Sequence, residues 1–372
     1  MKIVGERDKL LAAFQTAATV APSRSPKPIL QNIKLVAEKD KVTFLATDTE
    51  VGIRLEVPGV EVVAPGSVVL PTSRFGPILR ESSDEKLTIE TDGSSIQVTG
   101  ARSEFKLPAE NPDEFPEVAT FEEKKFHEIP ARLIKELVKR TLFATDNESS
   151  RYALGGVLLV FDGSEITAVG TDGRRLAKMK GPAQSKEGHE SGETMTIVPA
   201  RAMQLIDRAL TDADAEIQVS ARANDVLLKS PTATIYARLV EGRFPKWQDV
   251  VADRPDSKSI DLTVGPFYSA IRQAAIVTSD ESRGVDFTFG GGSLVLSGST
   301  AEVGQSRIEI PVAYDGDELS ITLDHRFVAD FLKVLGAETK VAMSVKDNEQ
   351  PADFKTDDGY HYVVMPLSRD KR

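Results

Sequence analysis

The sequence says one thing three times. A short amphipathic helix, alternating strands, a second helix and more strands recur at a period of roughly 122 to 129 residues. The first helices of the repeats are expected at Asp8–Val20, Ala131–Ala144 and Val264–Val277, and the second at Ser73–Arg80, Ala200–Leu210 and His325–Leu335. Strands include Ile33–Thr47, Val157–Thr171 and Val285–Ser297. Local echoes set the register: Thr47-Asp48 returns as Thr171-Asp172, and Phe115-Pro116 returns as Phe244-Pro245 and then as Met365-Pro366. A repeat of this length constrains the whole fold, because each copy is one helix-and-sheet unit stacked on the next.

Strand signals dominate each unit. Val42–Ala46, Leu87–Glu90 and Ile96–Thr99 alternate apolar and polar residues, with Asp92-Gly93 as a hairpin turn. Asp162-Gly163 plays that part in the second unit and Gly290-Gly291-Gly292-Ser293 in the third. The glycine cluster lacks the Lys-Ser/Thr and the helix of a phosphate loop, so a hairpin is the better reading. Leu133, Ile134, Leu137 and Val138 form one apolar helical face, with Arg132, Lys135, Lys139 and Arg140 elsewhere on the helix. Antiparallel sheet with two helices on one face makes the class α+β. The domain spans are 1-122, 126-249 and 258-372. Pro108, Pro112, Pro116 and Pro130 frame the first junction and Pro245, Pro255 and Pro266 the second, as stiff linkers.

The 372 residues exceed what one hydrophobic core supports. No apolar run approaches the ~20 residues that span a bilayer, and no signal-peptide core opens the chain, so a cytoplasmic protein with no membrane partner is expected. With no cysteine, disulfides and thiolate metal sites are excluded. The net charge of −11 argues against a polyanionic partner until its distribution is examined. Segments Lys9–Val20, Ser73–Arg80, Ala131–Arg140, Arg201–Leu210, Pro266–Val277 and His325–Leu335 carry +1, +2, +3, +1, +1 and +1, a total of +9 that leaves −20 elsewhere. Basic helices on an acidic protein can draw a polyanion to one surface, or merely solvate outer helix faces.

The segments Pro26–Leu35, Thr47–Glu50, Arg151–Val157, Thr171–Ala177, Val240–Pro245, Gln273–Val285 and Tyr362–Leu367 follow one another from end to end of the chain. In this order the chain resembles the bacterial sliding clamp family, the beta subunit of DNA polymerase III. The resemblance implies a head-to-tail homodimer whose six domains form a ring around double-stranded DNA, held without sequence preference. Twelve helices at spacings of ~10 Å need a circumference of ~120 Å. That is a diameter of roughly 38 Å, which less one helix thickness of ~10–12 Å leaves a hole of roughly 27 Å, wide enough for B-form DNA of about 20 Å with water between.

The resemblance also implies a groove for partner peptides with short Leu and Phe anchors: the DNA polymerase III alpha subunit, clamp-loader subunits and other clamp-binding-motif proteins. Its matching positions are Leu154, Thr171, Gly173, Arg174, Arg175 and Leu176, then Pro245 and Val250, then Val363, Val364, Met365, Pro366 and Leu367. The ending Ser368–Arg372 departs from the family pattern. Arg24, Arg74, Arg80, Lys139, Arg201 and Arg208 are the candidate DNA contacts, and Phe105 and Leu107 are expected to meet Ile276 and Val277 at the dimer joint. No catalytic residue, metal or cofactor is expected: the four histidines share no ligand spacing, and no nucleophile elbow, Walker loop or dinucleotide fingerprint occurs. A processivity clamp, a peptide-collecting adaptor that does not enclose DNA and an enzyme of another type remain the three alternatives.

Overall fold

Apolar residues spaced three and four apart generate the helices. In the computed structural model, which describes residues 1–146, 153–192, 195–280 and 282–367, they are α1 (Arg7–Ala18), α2 (Thr72–Glu81), α3 (Ala131–Thr141), α4 (Ala200–Ala209), α5 (Trp247–Val250), α6 (Val264–Ala274) and α7 (His325–Lys333). α1 buries Leu10, Ala13, Phe14 and Ala17, one stripe of a 3.6-residue period. Phe14 meets Phe44 edge-on with ring centroids at 5.7 Å and Phe75 of α2 at 5.0 Å. Such pairs add about 0.5–1.5 kcal/mol each beyond their buried area. α3 and α6 each run into a single 3-10 turn, Leu142–Ala144 and Ala275–Val277, which extends both elements to the ends expected from the sequence.

The chain divides into two compact units. The first takes Met1–Lys135, Phe161–Ser164 and Ala183–Val240. Its five-stranded antiparallel sheet runs Val60–Ala64, Lys2–Glu6, Lys86–Thr91, Ser95–Thr99, Glu104–Pro108. Its nine-stranded sheet runs Gln184–Lys186, Phe126–Pro130, Glu216–Ala221, Asp225–Lys229, Ala233–Arg238, Val51–Val57, Val42–Thr47, Asn32–Ala37, Gly66–Pro71.

The second unit takes Glu136–Val160, Glu165–Pro182 and Glu241–Arg372. Its larger sheet includes, in order, Glu165–Thr171, Arg175–Pro182, His361–Val364, Ala352–Lys355, Lys340–Val345 and Lys258–Thr263. Its four-stranded sheet runs Gly304–Pro311, Ser293–Thr300, Gly284–Gly290, Leu319–Asp324.

Repeats and units therefore do not coincide. Ala233–Arg238, from the middle repeat, pairs with Val51–Val57, from the first, with Ile235 opposite Ile53. Arg175–Pro182 pairs with His361–Val364 of the third, with Leu176 opposite Val363. The proline-framed segments are connections, but continuous backbone hydrogen bonding joins the repeats, a stronger tie than the stiff linkers expected from the sequence.

The hairpin turns fall at the signals read from the sequence. Gly291 and Gly292 sit at φ 56° and 80°, a left-handed pair that joins Gly284–Gly290 to Ser293–Thr300 and is least strained in residues without a Cβ. In the second unit an aromatic cluster ties the C-terminal strand to α7. Phe331 stacks on Tyr362 at 4.8 Å and 6°, flanked by Phe354 and Tyr360 at 5.3 Å each. The Tyr362 hydroxyl donates to the Phe327 carbonyl at 2.9 Å and that of Tyr360 to the Arg140 carbonyl at 2.7 Å. Burial pushes both phenols well above their ordinary value, so both are neutral donors.

Candidate functional site

The site begins as a turn. At Thr171–Arg175 the Thr171 hydroxyl donates to the Arg175 carbonyl at 2.6 Å and accepts the Gly173 N–H at 3.1 Å. One oxygen of Asp172 accepts the N–H groups of Arg174 and Arg175 at 2.9 and 3.0 Å. These two side chains satisfy the turn's backbone locally, as Asx and Thr turns do. Gly173 sits at φ 85° with open space around its missing Cβ. Upstream, a Cβ on Gly170 would lie 2.2 Å from the Thr141 carbonyl, so only glycine lets the end of α3 approach this strand so closely.

Arg175 organises what lies beneath the turn. Its guanidinium donates to Asp172 at 3.0 Å, to Asp330 of α7 at 2.9 Å and to the Phe143 carbonyl at 2.7 Å. It also lies over the rings of Phe143 and Phe327, 5.3 and 4.4 Å from their centroids. With its side chain only 10% exposed, this arginine is a structural bolt with its donors already committed. Arg174, by contrast, is exposed, with its guanidinium 5.3 Å from the Phe327 centroid.

The other matching positions separate into buried and exposed ones. Leu154, Leu176, Val363 and Val364 are buried at 4%, 2%, 1% and 0% exposure, in the core of the second unit. Met365 and Leu367, at 44% and 37%, are among the large apolar side chains left exposed, with Pro366 between them half-buried. The Met365 N–H donates to the Arg174 carbonyl at 2.8 Å, which locks the C-terminal segment alongside the turn. Pro245, two residues before α5, and Val250, its last residue, are half-buried, and the Trp247 N–H donates to the Pro245 carbonyl at 2.8 Å. Lys178, on the turn's outgoing strand, reaches to 5.6 Å from the Trp247 ring; burial, then the charge of Lys180, holds its ammonium below the usual lysine range. Arg151, Tyr152 and the Ser368–Arg372 ending lie outside the described residues.

The basic candidates differ in how free they are. Arg24 is exposed in the loop before Pro28, Arg74 and Arg80 are exposed at the two ends of α2, and Arg208 is exposed in the last turn of α4. Lys139 is exposed on α3, 3.9 Å from Glu136. Arg201 is engaged: it pairs with Asp48 and donates to the carbonyls of Thr19 and Val20 at 3.1 and 2.6 Å, where α1 ends. Those contacts offset the poor placement of a cation at the N-terminus of α4.

Phe105 and Leu107 lie half-buried on Glu104–Pro108, an outer strand of the five-stranded sheet. Ile276, 74% exposed, tops the turn Ala275–Val277. The Thr300 hydroxyl donates to the Val277 carbonyl at 2.8 Å, which anchors that turn to the four-stranded sheet. Gly304–Pro311 is the outer strand beside it.

Sequence reasoning missed one polar cluster. His127 and His189 are buried in the first unit with their Nδ1 atoms 2.6 Å apart, against Phe161. The Ala221 N–H donates to His189 Nε2 at 3.0 Å, so Nδ1–H of His189 is the donor to His127. The pair is 62 positions apart in the chain, and nothing in their spacing announces it. Burial pushes both imidazoles below the usual value, and the His189 charge pushes His127 further. Among the described residues no group of three or more His, Asp or Glu is arranged to hold a metal ion.

Comparison with known proteins follows the repeat. Models of the N-terminal, central and C-terminal domains of the DNA polymerase III beta subunit match residues 1–119, 128–246 and 254–368. The beta sliding clamps of Chlamydia pneumoniae and Pseudomonas putida are each 28% identical, over 99% and 97% of this chain and 99% and 98% of their own. The crystal structure of the DNA polymerase III subunit beta from Pseudomonas aeruginosa superposes with a TM-score of 0.88 at 26% identity, covering 99% of this chain and 100% of that one.

Proposed function

The chain belongs to the DNA polymerase III beta subunit family, and from that premise we propose that two copies join head to tail into a ring enclosing duplex DNA. It is a DNA sliding clamp of replication, a non-catalytic processivity factor. The observation that carries this reading is the succession of three family segments in order along almost the whole length.

Two unpaired strand edges support the joint. Glu104–Pro108 ends the five-stranded sheet of the first unit and Gly304–Pro311 ends the four-stranded sheet of the second. Head-to-tail contact would bring one edge of each copy to the other, with Ile276 covered beside Phe105 and Leu107. The domains are taken as 1-122, 126-249 and 258-372. The exposed cations Arg24, Arg74, Arg80, Lys139 and Arg208 would screen phosphates without reading bases, which permits sliding. Arg201, already paired, would contribute least.

Read as a groove, with Met365, Leu367 and Arg174 as its rim and Leu154, Leu176, Val363 and Val364 as its aliphatic floor, these positions suit a short extended segment with Leu and Phe anchors. On this reading the alpha subunit of the polymerase, clamp-loader subunits and other partners with such motifs compete for it, in the cytoplasm. The test is topological. Protein loaded onto nicked circular plasmid by its loader and ATP should stay on the circle and leave once the plasmid is cut. Equal retention on circle and line would mean ordinary binding and would remove the ring.

A further inference from the structure

A chain without cysteine has methionine as its main target for two-electron oxidation. Three of its six methionines are sheltered: Met179, Met203 and Met343 are 6%, 2% and 0% exposed. Met195 and Met365 are 50% and 44% exposed. Their settings differ. Met195 precedes a strand of the middle repeat, away from the groove positions in sequence. Met365 follows the C-terminal strand and is pinned by its own N–H to the Arg174 carbonyl, at the rim of the candidate groove.

We propose that Met365 is a reversible oxidation site through which peroxide weakens the groove's hold on partner peptides. The proposal rests on reading that rim as the peptide site. In the step itself the thioether sulfur attacks one peroxide oxygen. An S–O bond forms, the O–O bond breaks and, with proton transfer, water leaves. Sulfur is oxidised by two electrons and the peroxide is reduced. A dithiol-dependent sulfoxide reductase reverses this, the oxygen leaving as water while the dithiol becomes a disulfide.

The consequence follows from what a thioether does at such a rim. It is apolar, polarizable and unbranched, so it adapts to an incoming apolar anchor. The sulfoxide carries a strong S=O dipole and is configurationally fixed. Covering that dipole with a leucine or phenylalanine side chain costs it its water without supplying a donor. The buried groove positions Leu154, Leu176, Val363 and Val364 carry aliphatic side chains with no donor to offer.

The test uses the full-length protein and a fluorescent synthetic peptide with Leu and Phe anchors, titrated before and after hydrogen peroxide. Mass spectrometry of tryptic peptides counts sulfoxide at each methionine. Wild type should lose on the order of tenfold in affinity as Met365 oxidises, and recover after a methionine sulfoxide reductase with dithiothreitol. Met365→Leu, compared only with itself, should keep whatever affinity it starts with, while Met195→Leu should remain as sensitive as wild type. Unchanged affinity with Met365 fully oxidised would overturn the proposal, as would equal loss in Met365→Leu or oxidation confined to Met195. Failure of the untreated wild type to bind the peptide would instead remove the groove reading, and the proposal with it.

Discussion

Three turns in this molecule, Thr47–Val51, Thr91–Ser95 and Thr171–Arg175, are built alike, and the first and last are used differently. At Thr47–Val51 the Thr47 hydroxyl donates to the Val51 carbonyl at 2.9 Å and accepts the Thr49 N–H at 3.0 Å, while Asp48 accepts the N–H groups of Glu50 and Val51. The turn at Thr171–Arg175 repeats every one of those contacts. Their surroundings then diverge. Asp48 receives an arginine from elsewhere, Arg201 of α4, whose side chain is 46% exposed. Asp172 receives the turn's own Arg175, buried and stacked between two aromatic rings. The threonine–aspartate pair is thus a repeated carpentry joint, and what distinguishes the candidate site is the arginine beneath it.

Breaking that arginine should produce the largest difference. Arg175→Ala would leave Asp172, whose side chain is 7% exposed, without its cation. A loss of about 3 kcal/mol is expected in urea denaturation, together with loss of peptide binding. Thr47→Val and Thr171→Val test the shared part; each should cost about 1–2 kcal/mol, and clearly unequal values would mean the turns are not equivalent. Next come the third positions. Thr49 holds φ 79° where Gly173 holds 85°, so Thr49→Gly should gain and Gly173→Ala lose about 1 kcal/mol by thermal melting. Arg201→Ala should cost under about 1 kcal/mol, since half-exposed ion pairs are worth little.

The smallest effect is a slope. The sheet that carries the Thr47 turn also carries His127, held with His189 below the ordinary imidazole value of 6.5. The unfolded chain therefore takes up protons there before the folded one does, and stability present at pH 7.5 should decline as the pH falls below about 6.5. Urea midpoints at pH 7.5 and 5.5 measure this, and His127→Asn should flatten the decline.

The local elements were open to reading. Apolar spacing placed the starts of α3, α4, α6 and α7 at Ala131, Ala200, Val264 and His325, where the structure has them, and Asp92-Gly93 marked its hairpin. The pairing of Ala233–Arg238 with Val51–Val57 was not, because no local period records which strand edges will meet. Arg201 read as a candidate DNA contact by its helix position, and only the fold brings the end of α1 and Asp48 to it. Leu154 and Val364 were named by resemblance alone, and nothing in their side-chain type distinguishes a groove floor from any other core.

The outer strands Glu104–Pro108 and Gly304–Pro311 also bear on how the protein behaves when crowded. Each alternates exposed charge or amide with half-buried side chains: Glu104 and Lys106 on one, Gln305, Arg307 and Glu309 on the other. Each ends in a proline that has no N–H to offer. Charged, proline-terminated edges resist indiscriminate strand addition. If the proposed head-to-tail joint leaves these two edges open for a matched partner, their charges and prolines guard the chain against fibre formation, and it should stay soluble at concentrations where an uncharged edge would nucleate amyloid.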